Sequence, residues 1–357
     1  MTFRWYGEKD PVTLEMIRQI PKMSGVVTAL YSIPVGDTWD LDSIRKQKKL
    51  VNDAGLEMEV IESVPVHEEI KLGAPSRDRL IDNYIETIRN LGKAGVKVIC
   101  YNFMPVFDWV RSELAFRTAD GSNCLAYDQH TVDALDPRER SLSLPGWDES
   151  YTREELTALL RRYESVDAER LFRNMVYFLT ALTPACKESG IKMAVHPDDP
   201  PWSLFGLPRI VSNEAGIDRL FRALDEPENG VTFCTGSLGV DRNNDLVKMA
   251  AKYAAMGRVH FVHARNVRFV PQEDGKLFFH ESPHPTECGS LDIYGILRAL
   301  YENGFDGYIR PDHGRNIWGE HGKPGYGLYD RALGAVYLSG VWEALEKSLP
   351  MNKKRRF

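Results

Sequence analysis

A (β/α)8 barrel of the α/β class is the fold this sequence predicts, and three observations carry the prediction. Short β-branched runs alternate with amphipathic helical stretches, the pattern of a parallel sheet built from βα units. Eight such runs can be counted along the chain. No GxGxxG or Walker sequence occurs, so the glycine-rich phosphate loop that a doubly wound sheet wants after its first strand is missing.

The runs are taken in order. TFRWY (2–6) opens the chain, and VVTALYS (26–32) is the second run. EMEVIES (57–63) follows VNDAG, in which Gly55 reads as the left-handed residue that stops a helix. VKVICYNF (96–103) follows LGKAG in the same way, and IKMAVHP (191–197) follows CKESG. VTFCTG (231–236), RVHFVHAR (258–265) and GYIRPD (307–312), the last after YENGFD, complete the set. A final helix is expected over Tyr329–Glu346, after a turn marked by Pro324 and Gly325. The irregular part is 104–165, ahead of an apparent helix over 166–189. A plain loop of that length is uncommon in a compact domain. It is therefore expected to be an inserted helical and loop subdomain after strand four, capping the barrel mouth or forming a subunit contact. The whole chain, 1–357, reads as one elaborated domain.

Composition narrows the function classes. With 43% hydrophobic and 27% charged residues the chain has the material for a full-sized core. A net charge of −6 argues against a nucleic-acid partner, which needs a basic face. The five cysteines are scattered without a CxxC pair, which argues against a secreted disulfide framework. No run approaches the roughly 18 apolar residues of a membrane helix, and MTFRWYGEKD lacks a signal-peptide core. A cytoplasmic protein with no membrane partner is the expectation, and Lys353–Arg356 reads as a frayed basic tail.

In a barrel of this kind the chemistry gathers at the C-terminal ends of the strands. Strand five ends in His196, strand six in Cys234, strand seven in His263 and strand eight in Asp312. Each alone has a structural reading: a satisfied core histidine, a small buried thiol, a turn-capping acid. Together they repeat, since Cys234 lies 38 residues after His196, His263 lies 29 after Cys234 and Asp312 lies 49 after His263. Neighbouring strand ends can then surround one cation with two imidazoles, a thiolate and a carboxylate. Donor softness alone points to zinc or ferrous iron and leaves the metal open.

Beside those donors stands spare acid–base chemistry. In YIRPDHGR, His313 follows Asp312, and Arg310 and Arg315 flank the pair. Tyr326 in GKPGYGLYD is the expected partner of His313, with Tyr329 not separable from it by sequence. Arg265, Arg310 and Arg315 are candidates to clamp a substrate carboxylate, whose geometry suits a guanidinium fork. Asn102, Glu62, Arg4 and Tyr6 are further rim residues, Asn102 a candidate for substrate hydroxyls. His260, an odd number of residues from His263, belongs on the opposite face of its strand. His280 and His284 fall in a long loop after strand seven, expected to be solvated or to close over the site.

Through FRWYG, VTALYSIPVG, VIESVPVHEEIKLG, YNFMPVFDW, HPDDPP, FCTGSLG, FVHARN, RPDHG and PGYGL the chain resembles the mannonate dehydratases, which are xylose-isomerase-like TIM barrels. The resemblance implies dehydration of D-mannonate to 2-keto-3-deoxy-D-gluconate in hexuronate (glucuronate) catabolism. It implies manganese or ferrous iron rather than zinc, held by His196, Cys234, His263 and Asp312, with His313 and Tyr326 acting on the substrate. An aldonic acid is then the expected small-molecule partner, and a homo-oligomer, a dimer, the expected assembly. A sugar isomerase or epimerase on the same barrel is the rival reading, separated by whether the substrate is an acid. A barrel endonuclease conflicts with the acidic charge, and a non-catalytic binding protein has no use for His313.

Overall fold

The computed structural model of the chain describes residues 1–137 and 151–349. Its strands in chain order are β1 (Thr2–Arg4), β2 (Gly25–Thr28), β3 (Glu57–Glu62), β4 (Val98–Tyr101), β5 (Glu113–Arg117), β6 (Asn123–Asp128), β7 (Lys192–Val195), β8 (Asn229–Cys234), β9 (Val259–Ala264), β10 (Asn266–Phe269), β11 (Phe278–Ser282) and β12 (Tyr308–Pro311). Eight of them form a sheet in the order β1-β2-β3-β4-β7-β8-β9-β12. Each corresponds to one of the β-branched runs of the sequence. The Thr2 hydroxyl donates to the Ile309 carbonyl at 3.1 Å, joining the first strand to the last. The result is a TIM barrel.

Two apolar layers hold it. Val27, Val60, Val98, Cys100, Ala194 and Phe261 fill the barrel interior, while a much larger cluster packs the outer strand faces against the helices. Phe178, on helix Ala168–Ser189, is fully buried with its ring 5.1 Å from Tyr84, 6.2 Å from Tyr101 and 5.9 Å from Phe103. That helix starts where the Asp167 carboxylate accepts from the Arg170 amide and stops at Gly190, whose φ of 65° is left-handed. His260 does face away from the barrel interior's chemistry. It is buried against Gly230, where an added Cβ would stand 2.2 Å from its ring.

The segment 104–165 contains β5, β6 and the helices Gln129–Asp133 and Arg153–Tyr163, the latter with a Thr152–Glu155 capping box. Its residues 138–150 lie outside the described residues. The β5–β6 hairpin does not stand alone. It joins β10 and β11 in an antiparallel sheet of order β10-β11-β6-β5, with Phe279 opposite Tyr127 and His280 opposite Ala126. The stretch after strand seven, read from sequence as a loop, is thus half of an accessory sheet beside the barrel rim.

Candidate active site

The parallel register brings the strand ends level. Cys234 pairs with His263, and the His196 amide donates to the Tyr101 carbonyl at 2.6 Å, continuing the β4–β7 ladder. His196 Nδ1 lies 2.7 Å from the Pro197 carbonyl. With Nδ1 donating there, the other nitrogen is turned to Cys234, whose negative charge outweighs burial and raises the imidazole to about 9, and a bound ion would replace the proton on that nitrogen. Ligating atoms of His196, Cys234 and His263 all lie within 4.8 Å of one another. Asp312 stands beside the group, its carboxylate 3.7 Å from Cys234 Sγ and 3.9 Å from His263 Nδ1.

Their electrostatics favour a cation. Burial alone would push the Cys234 thiol up, but the Arg265 guanidinium and His196 outweigh it and hold the thiol well below its ordinary value. Ser237 donates to the sulfur from its amide at 3.5 Å and its hydroxyl at 3.1 Å, as suits a thiolate. Asp312 is buried and Glu62 half-buried, and Arg310 is the chief group that holds both carboxylates ionised. His263 Nε2 faces Glu62 Oε2 at 3.2 Å, so the carboxylate sits against the imidazole at the edge of the group. Two imidazoles and a thiolate within reach of one another, with a carboxylate beside them, are a donor set that fits a divalent ion. A second grouping, Glu62, Cys100 and His263, is as compact. Burial drives the Cys100 thiol far above its ordinary value, so it stays protonated and is a poor ligand.

The acid–base pair is assembled next to this group. Tyr326 Oη stands 3.0 Å from His313 Nε2. Its ring is buried, edge-on to Tyr6 at 5.0 Å, and His313 lies 5.3 Å from the Trp109 ring. Burial, with Tyr6 and Asp312 nearby, raises the Tyr326 phenol well above its ordinary value. Gly325 makes the turn, with φ of 78° and an added Cβ only 2.6 Å from Leu125 Cδ1. The alternative, Tyr329, is exposed and packs on Trp318 at 5.7 Å.

The arginines divide. Arg310 reaches Asp312 at 2.8 Å and Glu62 at 3.0 Å, and its Nε and Nη1 have no partner. Arg265 pairs with Glu281 at 2.7 Å and with Asp199, and its Nε is 3.3 Å from Asp312. Arg315 turns instead to Asp120 at 2.6 Å and Asp330 at 2.9 Å. It lines a groove of about 480 Å3 with Asp120, Asn316 and Trp318, apart from the ligand group. Asn102 is half-buried and bonds to the Asp108 carboxylate. His280 stacks on Phe116 at 5.3 Å, and His284 is buried, so close to Gly334 that an added Cβ would stand 2.4 Å from its ring. Neither is a solvated loop residue.

Three residues escaped the sequence reading. Glu281 Oε1 stands 3.1 Å from His313 Nδ1. Asp199 takes a two-point ion pair from Arg111, at 2.8 and 3.1 Å, and Arg111 also reaches Glu281 at 3.3 Å. Asp199 stood in view as the second acid of HPDD. Glu281 shares an alternation with buried Phe279, the one signal that it points inward.

Fold and rim together define a xylose-isomerase-like TIM barrel with a candidate metal centre and an adjoining histidine–tyrosine pair. Comparison with known proteins gives the family. A sequence model of the D-mannonate dehydratase (UxuA) family matches residues 1–352. The mannonate dehydratase of Thermotoga petrophila is 53% identical over 357 residues, covering 97% of this chain and 98% of the relative. That of Streptococcus agalactiae is also 53% identical, over 97% of this chain and 99% of its own. The crystal structure of mannonate dehydratase from Streptococcus suis superposes with a TM-score of 0.90 at 44% identity, over 100% of this chain and 99% of that one. A xylose-isomerase-like TIM barrel from Mycobacterium smegmatis shares the fold at a TM-score of 0.56 and 14% identity, covering 93% of this chain and 87% of its own. The chain belongs to the mannonate dehydratase family, and it is an enzyme of the hydro-lyase class.

Proposed function

We propose that the protein dehydrates D-mannonate to 2-keto-3-deoxy-D-gluconate and water as a step of hexuronate (glucuronate) breakdown in the cytoplasm. The carrying observation is the His313–Tyr326 contact at 3.0 Å beside the compact group His196, Cys234 and His263, with Asp312 next to Cys234. His196, Cys234, His263 and Asp312 would hold a divalent ion, Mn2+ or Fe2+ by family resemblance. When bound, it supplies a Lewis acid that offsets the negative charge developing next to the substrate carboxylate.

The protein's own groups handle the protons. One of the pair takes the proton from C2, and the other protonates the C3 hydroxyl as the C3–O bond breaks and water leaves. The electron pair of the C2–H bond becomes the C2–C3 double bond, and the resulting enol tautomerises to the 2-keto acid. The raised phenol of Tyr326 supports it as the acid, because it keeps its proton at neutral pH. His313 then acts as the base. The unpartnered Nε and Nη1 of Arg310 support a role in binding the substrate carboxylate, with Arg265 as a second cation. Asn102 is proposed to bind a hydroxyl. Arg315, committed to Asp120 and Asp330, is proposed to act on substrate only by fastening the loop between His313 and Tyr326.

The chain is proposed to act as one domain, 1–357, with 104–165 inserted, and as a homodimer. An exposed apolar group of Trp318, Tyr329, Leu333 and Val336 supports self-association. Among the described residues no helix is long and apolar enough to cross a membrane. The test is to offer the purified enzyme D-mannonate beside neutral aldoses and ketoses. A 2-keto-3-deoxy acid formed from the aldonate alone is the expected result. Interconversion of the neutral sugars, with no product from the acid, would hand the function to an isomerase.

A further inference from the structure

We propose that Glu281, delivered by the accessory sheet, is a positioning residue that holds the His313 ring so that Nε2 meets Tyr326 and the substrate. This rests on the dehydratase reading of the His313–Tyr326 pair.

Glu281 is fully buried on β11, and its Oε1 is the focus of three groups: His313 Nδ1 at 3.1 Å, Arg265 Nη1 at 2.7 Å and Arg111 Nη2 at 3.3 Å. Burying a carboxylate costs several kcal/mol unless it is paired, and the two arginines supply that pairing. Pairing alone does not explain the placement. Asp199 already takes both Nη atoms of Arg111 and one of Arg265. What Glu281 adds is an acceptor for an Nδ1 proton on the far side of the imidazole from Tyr326; Arg265 Nη1 lies 2.9 Å from the same nitrogen but is a donor only and cannot take that role. A histidine ring turns about its Cβ–Cγ bond, and a group fixed on Nδ1 fixes where Nε2 points.

The contact comes from outside the barrel strands. Glu281 pairs in register with Val267 of β10, and two residues earlier Phe279 stacks on Tyr127 of β6 at 5.3 Å. The hairpin of 104–165 therefore braces the strand that carries Glu281. On this account the accessory sheet is part of the catalytic machinery rather than a cover over it.

The test uses the full-length, metal-loaded enzyme and the variants Glu281→Asp and Glu281→Gln. Asp keeps the charge that balances Arg111 and Arg265 but is one methylene shorter, so it gives up the reach to Nδ1. Gln keeps the reach and loses the charge. A positioning role predicts that Glu281→Asp lowers kcat about 10- to 100-fold, the range typical of such supporting partners, with KM within about twofold and metal content unchanged. Glu281→Gln loses less. In a His313→Asn background Glu281→Asp adds no further loss, because the two act as one unit.

A role in charge balance alone predicts the reverse order, and Asp at wild-type kcat overturns the proposal. So does an equal loss in the His313→Asn background. A crystal structure of Glu281→Asp reads the role without turnover: a displaced His313 ring supports it, and Nε2 still at the Tyr326 hydroxyl refutes it. Wild-type enzyme inactive on D-mannonate would instead overturn the function proposed above, leaving that ring position as the measure of Glu281.

Discussion

Replacing Tyr326 with phenylalanine separates two roles for its hydroxyl by magnitude. The ring is buried, edge-on to Tyr6 at 5.0 Å, with Lys323 Nζ 6.0 Å from its centre. Phenylalanine preserves that packing, so the change removes the hydroxyl and its 3.0 Å contact with His313. A net hydrogen bond is worth about 0.5–1.5 kcal/mol, at most about a tenfold effect on rate at 1.36 kcal/mol per decade. A general acid is worth about 10²- to 10⁴-fold. If the phenol protonates the departing C3 oxygen, Tyr326→Phe loses at least about 100-fold in kcat. The assay is 2-keto-3-deoxy acid formation at saturating D-mannonate and metal, with thermal unfolding as the control for folding. A folded variant that keeps more than about a tenth of wild-type kcat would refute the acid role and reduce the contact to a structural hydrogen bond.

Further expectations concern metal, backbone, core and pH. Cys234→Ser exchanges a soft thiolate for a hydroxyl that stays protonated, so bound manganese or iron per chain, read by elemental analysis after dialysis, falls at least about tenfold. Gly325→Ala puts a side chain at φ of 78° against Leu125. It should cost about 1–3 kcal/mol of stability through backbone strain and lower kcat by shifting Tyr326, both measurable on one preparation. Phe178→Ala opens a hole between the long helix and β4 and should lower the unfolding free energy by about 3–5 kcal/mol in urea. Burial and nearby cations depress His260 from 6.5 to about 3, so it stays neutral in the fold while the unfolded chain takes up a proton below about 6.5. Its contribution to stability is thus present above pH 6.5 and lost as pH falls toward 3, at up to about 1.4 kcal/mol per pH unit. His260→Gln should flatten the wild-type decline of the urea midpoint in that window, and an unchanged slope would show that His260 is not its source.

The barrel was legible because its strands are buried on both faces and so read as unbroken β-branched runs, VICY and VHFVHA among them. His196, Cys234, His263 and Asp312 were legible for the same reason, since a polar residue at the end of such a run stands out. The accessory sheet was not. Its strands are short, β5 alternates between exposed and half-exposed, and its pairing joins segments some 150 residues apart in the chain. Glu281 inherits that invisibility. The choice between Tyr326 and Tyr329 needed the placement of the two rings, one buried at His313 and the other exposed on Trp318, and the direction of Arg315 depended on Asp120, a partner remote in sequence. The final helix, expected over Tyr329–Glu346, runs Tyr329–Ser348.

Restoring metal to stripped enzyme tests the central claim most directly. Wild-type, Cys234→Ser and His313→Asn proteins are dialysed against chelator, then given Mn2+ or Fe2+ and D-mannonate, with bound metal and 2-keto-3-deoxy acid followed together. The account predicts product from wild type only after metal is returned, no stable metal in Cys234→Ser, and full metal with kcat lowered at least about 100-fold in His313→Asn. Product from the stripped wild type, or wild-type turnover by His313→Asn, would contradict it.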